Sequence, residues 1–261
     1  MCAGVTDGAM KDVAEIAEVV QDLGISGDDI VLVHSALSGM DCSPEVLLDG
    51  LRQAVGQGTI VVPTFNFDAT DANSVRQFDI EETPSNMGYL TELVRQHPNA
   101  QRSIHPTHSF AALGEHAETF ARMYGCNAFA RDYVLGALHE ENAAILSIGL
   151  EPFGKAMTFF HLVEQCEGIS RHGWDYRYLR TFDSEITIHE KTFRDTYQQS
   201  VPTCESYDFT RIGRGLQERE LVGHRHTHGK SFDMVRTGEI YEPIREMICE
   251  HPDEIYSREN T

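Results

Sequence analysis

The chain has 261 residues, 41% of them hydrophobic, enough to bury a sizeable core. With 41 acidic against 21 basic residues, its formal charge of −20 repels nucleic-acid phosphates and anionic lipid, and favours a polycationic partner. No run approaches the ~20 apolar residues of a membrane span.

Residues Met1 to Met10 lack a basic stretch followed by an apolar one, so no secretory signal is expected. Cys2, Cys42, Cys126, Cys166, Cys204 and Cys249 form no CxxC pair and read as reduced thiols of a cytoplasmic protein.

In chain order, Asp12 to Leu23 sets Val13, Ile16, Val20 and Leu23 at helical spacing, with Gly24 as a stop. Ile30 to Val33 reads as a buried strand ending at His34. Ser43-Pro44-Glu45 starts a helix whose apolar face is Leu47, Leu48, Leu51 and Val55. Gly56 and Gly58 break it before a strand at Thr59 to Val62. A helix is expected from about Asn86 to Gln96. Ser109 to Leu113 and Ala143 to Leu150 read as further buried strands, with a helix beginning near Glu115 between them. Tyr176 to Ile188 alternates as antiparallel strands do, and Glu239 to Glu250 carries Ile240, Tyr241, Ile244 and Ile248 on one helical face. The pattern predicts an α/β fold: one compact domain over residues 1–261, with a central mixed sheet flanked by helices and a C-terminal antiparallel portion.

Three segments carry candidate chemistry. If a helix opens at Thr158, His161 and Glu164 lie three residues apart on one face. A carboxylate beside an imidazole orients a base and stabilises its protonated form. Read alone, the same spacing also suits a solvated surface pair. The second segment is Arg102-Ser103-Ile104-His105-Pro106-Thr107-His108-Ser109, a polar loop stiffened by Pro106 that leads into Phe110. Arg102 there suits a phosphate or carboxylate, although a strand-entry loop needs the same residue types. The third is a pair of strand ends, His34-Ser35-Ala36-Leu37 and Thr64-Phe65, where small residues would let backbone amides meet a ligand at one sheet edge.

Two further patterns are weaker. Gln53-Ala54-Val55-Gly56-Gln57-Gly58 matches the QxxGxG pyrophosphate loop of GNAT-type acetyltransferases, but runs from helix to strand, the reverse of the order that loop requires. His224, His226 and His228 would share one face of a strand, as a metal site needs.

In order, Asp29 to Leu37, Gly58 to Phe65, Met87-Gly88-Tyr89-Leu90-Thr91-Glu92, Arg102 to Ala112 and Thr158 to Glu164 resemble the aminoglycoside 3-N-acetyltransferase family. The likeness extends through Tyr176-Arg177-Tyr178 to Val222-Gly223. The resemblance implies an acetyl-CoA cosubstrate and direct transfer to a polycationic amine, the 3-amino group of a 2-deoxystreptamine aminoglycoside, and so a part in antibiotic resistance. It implies His161 as general base with Thr158 and Glu164 about it. It also implies a CoA channel lined by His34, Ser35, Ala36, Leu37, Thr64, Phe65, Arg102, Ser103, His105, Thr107, His108, Ser109 and Phe110. No metal, nucleic acid or membrane is expected, and a monomer or homodimer is.

The chain departs from the family pattern at Phe159-Phe160, a pair bulkier than usual near the site, and at Tyr124 to Phe129. Two other functions remain: the same transfer to an amino sugar or other biosynthetic amine, and a metal-dependent hydrolase built on His224, His226 and His228.

Overall fold

The computed structural model describes residues 7–67, 75–167, 177–202 and 206–257. Tyr176, Cys2 and Cys204, singled out above, lie outside the described residues. In chain order the elements are α1 (Asp7–Asp22), β1 (Ile30–Ser35), α2 (Pro44–Val55), β2 (Thr59–Pro63), β3 (Arg76–Asp79), α3 (Tyr89–Arg95), β4 (Gln101–Arg102), β5 (Phe110–Gly114), α4 (Ala117–Ala121), α5 (Val134–Glu140), β6 (Ala144–Ile148), α6 (Phe159–Glu167), β7 (Arg177–Ile188), β8 (Lys191–Pro202), β9 (Ser206–Tyr207), α7 (Phe209–Glu218), β10 (Gly223–Thr227), β11 (Lys230–Arg236), α8 (Thr237–Glu250), α9 (Pro252–Ile255) and β12 (Tyr256–Ser257).

Seven strands form the main sheet in the order β10-β11-β6-β1-β2-β5-β4. β1 runs parallel to β2 and β6, while β5 and β11 run antiparallel to their neighbours β2 and β6. The central strands are mostly apolar because both faces are covered, and alternate side chains enter two separate cores. Val31, Val33, Ile60, Val62 and Leu146 meet Ile16 and Val20 of α1, Leu47 and Leu51 of α2, and Leu90 and Val94 of α3. Ile30, Leu32, Val61 and Ile145 meet α5, α6 and α8 on the other face through Leu135, Leu138, Phe159, Val163, Ile240 and Ile244. Burying a side chain of this size contributes about 1.5–3 kcal/mol, so this layered burial holds the sheet edge in place.

Ser43 caps α2, its hydroxyl accepting from the Val46 N–H at 3.3 Å, with Pro44 at the first helical position. The helix expected from Asn86 starts later, at Tyr89, because Gly88 at φ 106° lies outside helical space. The helix expected near Glu115 is two short ones, α4 and α5. The antiparallel portion is the β7–β8 hairpin, turned at His189 and Glu190, both with positive φ, and joined by β3, which periodicity did not predict. β12 pairs with β9 as a separate two-stranded ladder.

Candidate active site

Strand direction decides which loops meet. β2, β1 and β6 are parallel and end at Pro63, Ser35 and Ile148, so the loops after them leave one edge of the sheet. β5 is antiparallel and enters opposite Pro63 at Phe110, which brings residues 103–109 to that edge. The loop after β6 leads into α6. Carboxyl ends of parallel strands are where α/β proteins build ligand sites.

His161 stands on the first turn of α6, where its N–H donates to the Thr158 carbonyl at 3.0 Å. Its Nδ1 lies 2.6 Å from Glu164 Oε2, one turn along the helix. Glu164 is buried, and its Oε1 accepts the Tyr256 hydroxyl at 2.6 Å. With an ionised carboxylate as acceptor, Nδ1 carries the proton and Nε2 the lone pair. The imidazole packs against Phe129, centroids 4.8 Å apart, and Phe209, 5.1 Å apart. Its side chain keeps 14% of its accessibility, so the ring is neither sealed in the core nor loose on the surface. Phe159 and Phe160 are fully buried, so their bulk fills the core and does not crowd the imidazole's exposed edge.

The Arg102–Ser109 loop folds into a buried network. Arg102 donates from Nε to Thr64 Oγ1 and Ser109 Oγ, from Nη1 to the Ile80 and Thr83 carbonyls, and from Nη2 to the Thr64 carbonyl. It also lies over the Phe78 ring at 4.9 Å, and burial pulls its pKa down to about 9. These contacts give the guanidinium a structural task. Ser103 Oγ accepts the Phe110 N–H at 2.8 Å and meets Tyr133 Oη at 2.8 Å. His105 is fully buried, its Nδ1 accepting from the Thr107 and His108 amides, and burial lowers its pKa to about 3, which keeps it neutral. Thr107 Oγ1 meets His108 Nδ1 at 2.7 Å.

His108 is where this network reaches the candidate base. Its ring lies 4.7 Å from Phe65, 5.2 Å from the exposed Phe67 and 5.0 Å from Phe129, the ring that also packs on His161. An unbroken run of rings therefore joins the end of β2 to α6.

His34 follows Ile30 and Leu32 on the α6 face of β1. It is buried, its Nε2 has no hydrogen-bond partner among the described residues, and burial lowers its pKa to about 4. Ser35, Ala36 and Leu37 are half-buried at the strand's end, with the Ala36 N–H donating to the Ile148 carbonyl at 2.8 Å.

The three C-terminal imidazoles do not converge. His224 Nδ1 meets Asp233 Oδ1 at 2.7 Å, while His228, beyond the strand at φ 48°, has Nδ1 on Thr227 Oγ1 and Nε2 3.5 Å from Asp12. Among the described residues, no group of three or more His, Cys, Asp or Glu side chains is placed to hold a metal ion. The Gln53–Gly58 segment closes α2 and enters β2, helix before strand. No helix among the described residues is long and apolar enough to cross a membrane.

Phe129 and Phe209, which pack on His161, and Tyr256, which bonds Glu164, are residues that sequence reading did not assign to the site. None sits in a polar cluster, and Tyr256 is 92 residues from Glu164 along the chain.

An imidazole oriented by a carboxylate, at the carboxyl edge of an α/β sheet, has the chemistry to take up and release a proton. Comparison with known proteins narrows the class. The family model for aminoglycoside 3-N-acetyltransferase matches residues 32–248. Aminoglycoside N(3)-acetyltransferase VII of Streptomyces paromomycinus is 33% identical over 247 residues, covering 82% of this chain and 84% of that protein. A prophage-derived aminoglycoside N(3')-acetyltransferase-like protein of Bacillus subtilis is 27% identical over 176 residues, 57% of this chain and 63% of that one. Among solved structures, AAC-IIIb in binary complex with CoASH superposes with a TM-score of 0.78 at 19% identity, over 91% of this chain and 96% of that one. The chain belongs to the aminoglycoside 3-N-acetyltransferase family, and is thus an acyltransferase.

Proposed function

We propose that this chain transfers the acetyl group of acetyl-CoA to the 3-amino group of a 2-deoxystreptamine aminoglycoside by direct attack, with His161 as general base. The observation that carries the reading is the 2.6 Å contact between His161 Nδ1 and buried Glu164, on a half-buried ring at the sheet's carboxyl edge. Glu164 holds the tautomer that leaves Nε2 able to accept a proton, and its charge stabilises the imidazolium that results. As the amine nitrogen bonds to the thioester carbonyl, its proton passes to Nε2, and collapse expels the CoA thiolate. A base so placed contributes about 10²–10⁴-fold. The developing oxyanion needs donors, a role for backbone amides or a hydroxyl such as that of Thr158.

His34, Ser35, Ala36, Leu37, Thr64, Phe65 and the 102–110 segment surround the proposed CoA channel. Of these, Ser35, Ala36 and Leu37 are half-buried and keep surface for direct contact. Arg102, Ser103, His105 and Phe110 shape it from behind, as their internal bonding and burial suggest. The −20 charge favours an acceptor carrying several ammonium groups, and the naming of the S. paromomycinus relative agrees.

Thiol release from acetyl-CoA, followed across a panel of aminoglycosides and simple amino sugars, tests the acceptor. Turnover with 2-deoxystreptamine aminoglycosides is expected. Turnover confined to amino sugars would overturn that assignment while leaving the chemistry in place.

A further inference from the structure

We propose that Tyr256 is a positioning residue for the His161–Glu164 pair, delivered by the C-terminal segment; this rests on His161 being the base. A glutamate carboxyl rotates through a broad, two-fold torsion, so one bond to histidine does not fix its plane. Here each oxygen has its own short bond, Oε2 to His161 Nδ1 and Oε1 to the Tyr256 hydroxyl, both at 2.6 Å. The two bonds lock the carboxylate and aim Nδ1.

The phenol is itself anchored without a ligand. Pro252 opens the short helix α9, Ile255 is buried in the core, the Asp208 N–H donates to the Ile255 carbonyl at 2.8 Å, and Tyr256 pairs with Tyr207. Asp208 then caps α7, accepting the Thr210 N–H at 3.1 Å, and the next residue, Phe209, packs on His161. One junction, 206–209 clasped to 255–257, thus sets the ring beside the imidazole and the hydroxyl behind its carboxylate.

The test is Tyr256→Phe, which keeps the ring and removes the hydroxyl, with His161→Gln assayed beside it. For Tyr256→Phe, kcat is expected to fall about tenfold, equal to about 1.4 kcal/mol, with KM for acetyl-CoA unchanged. The downfield proton resonance of the His161 Nδ1–H is expected to move, reporting the altered carboxylate in the folded protein. Wild-type kcat, or an unmoved resonance, overturns the proposal. So does a lowered melting temperature with kcat and KM impaired together, which would mark Tyr256 as packing for the C-terminal segment alone. If His161→Gln is inactive and Tyr256→Phe is not, only the role of Tyr256 falls. If His161→Gln is fully active, the base assignment falls first.

Discussion

Replacing Glu164 by Gln removes one charge while keeping the shape of the side chain. The carboxylate is buried and touches His161 Nδ1 at 2.6 Å, so water screens the pair little. With charge centres about 4 Å apart and an effective dielectric near 20, imidazolium and carboxylate attract by about 4 kcal/mol. Gln retains a hydrogen bond to Nδ1 or to Tyr256, so about 2–3 kcal/mol of that attraction is lost where it matters, in the transition state. That difference lowers kcat about 30- to 150-fold. The attraction is absent when the imidazole is neutral, so KM for acetyl-CoA stays near its original value. Steady-state thiol release at varied acetyl-CoA separates the two constants. A variant with kcat within about threefold of wild type would refute the claim that Glu164 stabilises a charged His161.

Three other outcomes follow from the same geometry. Arg102→Met strands the Thr64, Ile80 and Thr83 carbonyls, so it should cost about 3–5 kcal/mol in urea unfolding. A variant of normal stability that has lost CoA affinity would contradict the structural task given to Arg102. His34 and His105, with pKa values lowered to about 4 and about 3 by burial, bind fewer protons folded than unfolded. Stability is therefore whole above pH ~6.5 and declines by up to ~1.4 kcal/mol per pH unit per histidine down to about pH 4. Unfolding curves flat between pH 7 and pH 4.5 would contradict their burial as neutral groups. Finally, the −20 charge predicts that kcat/KM for a polycationic acceptor falls with added salt more steeply than for a monoamine, measured by thiol release. Equal salt slopes would remove the electrostatic argument for the acceptor.

Much of the sheet was legible because its central strands are buried on both faces. Ile30 to Val33, Ile60 to Val62 and Ala144 to Leu146 are continuous apolar runs within these strands. β3 and β10 carry no such signature, since they lie at sheet edges with exposed residues. At the site, the i, i+3 spacing of His161 and Glu164 is local and could be read directly. The internal bonding of Arg102 depends on carbonyls at 80 and 83, and the hydroxyl on Glu164 comes from the far end of the chain. No periodicity encodes such long-range contacts. The three histidines at 224, 226 and 228 illustrate the converse. Their sequence spacing suggests convergence, yet the strand ends at Thr227 and a positive φ turns His228 toward Asp12.

The central claim is best tested by His161→Ala, measured for acetyl transfer and for CoA binding in the same preparation. The account predicts that CoA raises the melting temperature as it does for wild type while thiol release falls by about 10²-fold or more. Acetyl transfer at the wild-type rate in that variant would contradict it.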